Sequence, residues 1–376
     1  MDNDNQNKNQ KLPTRQELRE QREKKQPKKP HIIAWIVGVL VTILVIAACY
    51  GGYVYHKTKT AIDQTYDPTN KVTQDSFNGK ESFSILLLGT DTGALGRTDV
   101  RGNTDTMIIA TVNPKTKTFS MMSIPRDTMA QMIGTENFSV HKINAAYNIG
   151  GAGMALKTTS TLLDVPLKYY VEVNMGGLEK LVDGVGGVDV DVPFTFSYGG
   201  YTFKKGKMHL NGKQALAYSR MRYDDPRGDY GRQLRQRQVI MSILQNSMSF
   251  DTLKNINEVT NSASKSIRTN LTFNSIMKIA KNYRDCIKNI KSDYLHGRGA
   301  MIGDASYQVM SDSELQRTSD IVRKSLNLAP VKLDNNETYQ NSKNSDFNWN
   351  SSDSNQKYYV YEPNSDDWWN GDKLEP

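Results

Sequence analysis

Residues 83–93 read FSILLLGTDTG, an apolar run closed by Gly89, which is the pattern of a buried β-strand. Downstream, MIIATV (107–112) and FSMMSI (119–124) flank the turn-like NPKTKT (113–118) and predict a hairpin. Residues 152–163 carry apolar side chains at helical spacing, YYVEV (169–173) reads as strand, and VDVDV (188–192) alternates as a half-exposed strand does. Strands interleaved with helices predict an α/β fold, a layered α-β-α domain with a central mixed sheet. Beyond Asn211 the chain is expected to turn mostly helical, with helices near 211–219, 232–248, 251–263 and 273–289.

Upstream, residues 32–49 read IIAWIVGVLVTILVIAAC, without a charge, and Tyr50 to Tyr55 prolong the run. About 20 apolar residues span a bilayer, so one transmembrane helix is expected before the domain. Nine Lys or Arg precede it, from Lys8 to Lys29, and basic residues beside a span favour the cytoplasmic side. The run is longer than a secretory signal core, although the Ile-Ala-Ala-Cys ending at Cys49 also resembles a lipoprotein cleavage box. The expected organisation is a basic cytoplasmic tail (1–31), a span (32–54), an extracellular stalk (55–81), a catalytic core (82–250) and a helical part (251–333). A disordered Asn/Ser/Asp-rich tail (334–376) would complete it.

With 376 residues, 23% of them charged, the chain has length enough for one or two domains with a core. Its formal net charge of +8 suits anionic partners but does not choose among nucleic acid, phospholipid and anionic glycopolymer. The two cysteines, one inside the apolar run, leave no intramolecular disulfide to hold the domain together, and the five His lack metal-ligand spacing.

Three clusters carry chemistry. In the first, Asp91 and Asp105 stand where adjacent predicted strands end and begin, with Arg97, Asp99 and Arg101 between them. Hard oxygen ligands of this kind suit Mg²⁺, though paired loop Asp residues also form turns and caps. The second is IPRD (124–127), where Pro125 stops a strand and aims Arg126 at its carboxyl end, the edge where α/β sheets bind ligands. The third is SRMR (219–222) followed by RGDYGRQLRQRQ (227–238). Arg220 and Arg222 alternate as on an extended segment, and Arg232 and Gln236 share a helix face. Converging forked donors fit a pyrophosphate, the competing reading being a solvated basic face paired with Asp224, Asp225 and Asp229. GGAG (150–153) lacks the context of a dinucleotide loop, and there is no P-loop or GxSxG elbow.

The ordered strings LLGTDT (87–92), NTDTM (103–107), SIPRD (123–127), KINAAY (142–147), VDGVGGVDV (182–190), LNGKQALAYSRMR (210–222) and GRQLRQRQ (231–238) resemble the motifs of the LytR-CpsA-Psr family. That resemblance covers roughly 83–248. It implies an enzyme of the Gram-positive envelope that transfers wall teichoic acid or capsular polysaccharide from a polyprenyl-pyrophosphate carrier to peptidoglycan. By motif, it implies that Asp91 and Asp105 hold Mg²⁺. Arg126, Arg220, Arg222, Arg232 and Gln236 would grip the pyrophosphate. Where Asn103 stands, many family members have Arg, a place that Arg97 or Arg101 is suited to fill. The base that takes the hydroxyl proton is left between Asp91 and Asp99. Candidate apolar faces for the lipid are 152–163 and 239–248. A pyrophosphatase acting on the same carrier is the alternative. A transcriptional role is disfavoured by a cytoplasmic part of about thirty residues with no recognition helix, so no nucleic-acid partner is expected.

Overall fold

The computed structural model describes residues 42, 45, 51–53, 55–60, 62–93, 102–247, 266–363 and 368–369. Two compact units divide the chain, Met1–His56 and Lys57–Pro376. The expected span falls almost wholly outside the described residues, among which no helix is long and apolar enough to cross a membrane.

In the second unit β1 (Phe83–Thr90), β2 (Thr104–Asn113) and β3 (Thr118–Ser123) form an antiparallel meander. A hairpin of β4 (Met129–Gln131) and β5 (Val140–Lys142) leads into α1 (Ala145–Leu163). Then come β6 (Tyr169–Asn174), α2 (Met175–Gly184), β7 (Val188–Val192), β8 (Phe196–Tyr198), β9 (Tyr201–Phe203) and β10 (Gly206–Leu210). Helices α3 (Gly212–Arg220) and α4 (Asp229–Asn246) follow. The chain continues through β11 (Ile267–Thr269), α5 (Phe273–Asn282), β12 (Ile290–Tyr294), β13 (Arg298–Ile302) and β14 (Ala305–Val309), then α6 (Asp312–Ser325) and α7 (Asn336–Lys343).

Six strands make one mixed sheet in the order β11-β6-β1-β2-β3-β12. β1 runs parallel to β6 and β3 parallel to β12, while β2 runs against both of its neighbours. The carboxyl ends of β1, β3, β6 and β12 therefore share one edge with the amino end of β2. That edge is where Asp91, Asp105 and Arg126 belong.

Both faces of the sheet are covered, which makes the layered α-β-α arrangement expected from the sequence. Leu86 and Leu88 of β1 point to one side and pack with Met107, Ile109 and Met122 beneath α1 and α6. On the other side Ile108, Ala110, Met121 and Tyr169 meet Leu271, Tyr283 and the partly buried Ile240, Met241 and Leu244 of α4. This second face is less tightly closed, since Ile85, Leu87 and Val171 stay only half-buried. A smaller core holds the inward valines of VDVDV with Phe196, Phe203 and Tyr218.

Three sequence expectations need correction. The distal part of the presumed stalk belongs to the domain: Phe77 is buried edge-on against Phe83, and Asp67 N donates to Thr269 O at 2.8 Å. Polar composition concealed this because one aromatic, the backbone and polar side chains such as Asp67 and Gln74 do the docking. The helix expected over 273–289 ends at Asn282, since Tyr283 turns into the core, and strands rather than helices fill 290–309. The helix expected at 251–263 lies outside the described residues.

Finally, residues 334–361, expected to be disordered, are built into the fold. Phe347, Tyr358 and Val360 form a separate core with Met129, Val140, Tyr307 and Val309. Amide side chains replace the missing aliphatics: Gln340 bonds the Tyr361 backbone in both directions, at 2.7 and 2.8 Å, and Asn344 Nδ2 donates to Tyr359 O. Glu337, fully buried, accepts from Gln131 N at 2.9 Å, and burial holds its carboxyl above the usual range. Glu337→Ala should cost about 1–3 kcal/mol in urea unfolding at pH 7 by leaving that N–H unpaired, whereas Glu337→Gln keeps the acceptor without a buried charge and should cost nothing. Equal losses for the two would show that the hydrogen bond is not what holds α7.

Candidate active site

Arg126 follows Pro125 at the end of β3 and reaches across the edge to pair with Asp105 on β2, while its Nε faces Asp127 Oδ2 at 3.6 Å. Arg232, one turn into α4 and 5% exposed, arrives from the opposite direction. Its Nη1 stands 4.0 Å from Asp105 Oδ1 and its Nη2 2.6 Å from Asp229 Oδ1. That last contact lies off the hydrogen-bond angle. Arg126 Nε, Arg232 Nε and Arg232 Nη2 are buried with no hydrogen-bond partner among the described residues.

The electrostatics follow from this crowding. Burial depresses the Arg232 pKa, the Arg126 and Arg222 cations add to the effect, and Asp229 and Asp105 oppose it. Arg126 goes the other way: burial works against its charge, yet Asp105, Asp127 and Asp229 outweigh it and raise the pKa. Three guanidinium groups, from residues 126, 222 and 232, thus act on one another at one place. Buried donors in native proteins are nearly always satisfied, so unsatisfied ones in a charged cleft mark a site made for anionic oxygens.

Of the remaining candidates, Arg222 is close enough to act on Arg232. Arg220 is the last residue of α3 and Arg222 follows Met221, which is extended, so the pair sits at a helix terminus and not on the extended segment expected. A helix end aims successive side chains differently from a strand. Neither Arg has a carboxylate partner among the described residues; Arg222 lies over the Tyr223 ring. Gln236 is buried one turn beyond Arg232, on the expected common face. Arg97, Asp99 and Arg101 lie outside the described residues.

The competing reading of the arginine-rich segment is right about pairing with Asp225 but not about a solvated face, since the pair is buried. Arg235 is fully buried, donates to Tyr218 O at 3.1 Å and pairs with Asp225, which Arg227 also holds. Burial would raise the Asp225 carboxyl, but hydrogen bonds from Arg227 and Arg235 keep it below the usual range. Gly231 is required beside it, because a Cβ there would fall 1.9 Å from Asp225 Oδ2. Arg237 reaches the sheet instead, donating to Ser123 Oγ on β3 and Ser292 Oγ on β12, and burial lowers its pKa to about 10. These two arginines fix α4; sequence reading singled out neither. For Arg237, five residues from Arg232 and off the shared face, spacing was the available signal; Arg235, three residues from Arg232, lies close to that face and spacing gives none.

The Mg²⁺ expectation turns on the chemistry of the donors. Asp91 follows β1, its N–H bonds Asn103 O at 3.3 Å, and a Cβ on Gly102 would fall 2.1 Å from Asp91 Oδ1. The Asp91 carboxylate is thus turned toward the segment that carries Asp105. Two carboxylates here fit a hard divalent cation that completes its shell with water and phosphate oxygens. Among the described residues no third His, Cys, Asp or Glu joins them.

With fold and site in hand, the class is a phosphate-handling α/β protein built on a sheet edge. The chain belongs to the LytR_cpsA_psr family, whose profile matches residues 50–324. A relative from Enterococcus faecalis (strain ATCC 700802 / V583) is 41% identical over 298 residues, 79% of this chain and 97% of its own length. It is named polyisoprenyl-teichoic acid–peptidoglycan teichoic acid transferase TagU. The crystal structure of B. subtilis TagU is 40% identical with a TM-score of 0.54, covering 67% of this chain and all of that one. A structure of TagT bound to LI-WTA is 27% identical with a TM-score of 0.56, covering 69% and 96%.

Arg235→Ala should destabilise the protein by about 3–5 kcal/mol in urea unfolding, because Asp225 is left buried and only half-compensated, while Arg222→Ala should leave stability unchanged. Similar unfolding midpoints for both would contradict the division into structural and functional arginines.

Proposed function

We propose that this chain is a membrane-anchored phosphotransferase that moves an anionic glycopolymer, of the wall teichoic acid or capsular polysaccharide kind, from a polyprenyl-pyrophosphate carrier to peptidoglycan. The observation that carries the reading is the set of buried guanidinium N–H groups on Arg126 and Arg232 that lack hydrogen bonds at the carboxyl edge of the sheet. A pyrophosphate supplies the missing acceptors. The name of the Enterococcus faecalis relative points to the same donor and acceptor classes.

In the reaction an acceptor hydroxyl oxygen bonds to the glycan-bearing phosphorus, the bond from that phosphorus to the bridging oxygen breaks, and polyprenyl phosphate leaves. The hydroxyl proton passes to a carboxylate, for which Asp91 at this edge and Asp99, outside the described residues, are the candidates. Negative charge grows on the leaving phosphate. Arg126, Arg220, Arg222, Arg232 and Gln236 would stabilise it, and one preorganised donor of this kind contributes about 2.7–4 kcal/mol to the barrier. Mg²⁺, held by Asp91 and Asp105, would neutralise pyrophosphate oxygens.

The half-buried Ile85, Leu87 and Val171, with Ile240, Met241 and Leu244 of α4, offer an apolar strip suited to the carrier lipid. The 152–163 face is spent on the core, with Ala152, Met154, Ala155, Leu156, Leu162 and Leu163 all buried. The anchor rests on the charge-free run at 32–49 and its basic preamble, which put the N-terminus in the cytoplasm and the domain outside. A reporter fused after Pro376 should be active only in its extracytoplasmic form; activity confined to the cytoplasm would overturn the topology.

Arg222→Ala should reduce transfer about a hundredfold or more without changing thermal stability, as polymer attachment by purified protein would report. Transfer at wild-type rate would sink the assignment of that residue. Chelation with EDTA should abolish transfer and added Mg²⁺ restore it, whereas full activity in EDTA would rule out the proposed ion.

A further inference from the structure

A polar cavity of about 380 Å³ opens beside the arginine cluster and shares only Arg126 with it. Its other walls include Asn103 before β2, Asp127 after Arg126, His141 and Lys142 of β5, Asn144 at the head of α1, and Tyr307 of β14. That volume falls in the range of small-molecule sites, roughly 300–1,000 Å³. Four of these side chains have polar groups that make no hydrogen bond among the described residues: the amides of Asn103 and Asn144, the His141 imidazole and the Tyr307 hydroxyl. Asn144 occupies the N-cap position of α1 without making a capping bond, so its amide is not engaged by the helix.

We propose that this cavity is the acceptor subsite, where an uncharged glycan segment of peptidoglycan lies with its reactive hydroxyl beside Arg126. The inference rests on the transferase reading above. Its charge balance suits a sugar better than a second phosphate. Lys142 Nζ is held 3.3 Å from Asp127 Oδ1, and Asp127 also faces Arg126, which leaves neutral amide, imidazole and phenol groups as the unengaged hydrogen-bonding partners. Such groups match the hydroxyl and acetamido groups of a glycan one for one. Burial keeps the His141 pKa below its ordinary value, so the ring is neutral near pH 7 and both donates and accepts.

Position favours the same occupant. In-line displacement puts the attacking and leaving oxygens on opposite sides of phosphorus. Arg232, Gln236 and the α4 part of the apolar strip lie on one helix, and the cavity instead opens onto β5, β14 and the head of α1 with Arg126 as the shared wall. The acceptor then approaches from the side away from the lipid. Tyr307 is held in place by Phe347 and Tyr358, which lie beyond the family match ending at residue 324. One wall of the subsite is therefore braced by a segment outside the shared family domain.

The test is steady-state transfer by the full chain in detergent, with polyprenyl-pyrophosphate-linked saccharide and peptidoglycan oligomers varied independently. Tyr307→Phe and Asn144→Ala, neither removing a hydrogen bond that the fold uses, should each raise the acceptor KM about tenfold while the donor KM holds. Unchanged acceptor KM in both variants, or an equal rise in donor KM, would overturn the subsite while leaving the transferase reading intact. Absence of transfer by the wild-type protein with either substrate in excess would instead defeat the reading on which the subsite rests, and the subsite with it.

Discussion

Asp105 must hold two guanidinium groups at a single strand end, and most of the domain can be read as a means to that. It pairs with Arg126 and lies 4.0 Å from Arg232, while Asp229 takes the far side of Arg232. Burying like charges together is costly unless anions compensate them. Here the compensation is incomplete, since burial and neighbouring cations still depress Arg232 and several of its N–H groups stay unsatisfied. A phosphate-bearing ligand would relieve that imbalance, which is what gives such an arrangement affinity for anionic oxygens.

Such an arrangement requires rigid supports. The mixed sheet brings the ends of β1, β2 and β3 to one edge, so Asp91, Asp105 and Arg126 are placed by backbone registers and not by loops alone. Helix α4 supplies the opposing wall. Arg235 ties it to the Asp225 loop and Arg237 ties it to β3 and β12, leaving the Arg232 and Gln236 face for the ligand. A helix held at two points along its length has little freedom to withdraw the donors.

The strands of the meander and the valine alternation of β7 were legible because burial on a sheet writes apolar residues at fixed periods. Arg126 and Asp105 were legible because their positions follow from where strands stop. The C-terminal segment was not: its core residues are single aromatics far apart, and Gln340 and Asn344 meet the backbone needs that aliphatic strands usually meet by pairing. Nor does a run of arginines declare which members are structural. Arg235 and Arg232 differ only in helical phase, and the partner that decides between them, Asp225, sits in a loop whose path depends on the tertiary fold. The same holds for the cavity beside Arg126, assembled from segments as distant as Asn103 and Tyr307.

The most direct test is product analysis. The full chain in detergent would be incubated with Mg²⁺, a polyprenyl-pyrophosphate-linked saccharide and peptidoglycan oligomers, and the products weighed by mass spectrometry. A saccharide joined to peptidoglycan through one phosphate, with polyprenyl phosphate released in equal amount, is the result expected of a transferase. Free saccharide phosphate with no adduct, in the presence of a competent acceptor, would make the protein a pyrophosphatase and contradict the account.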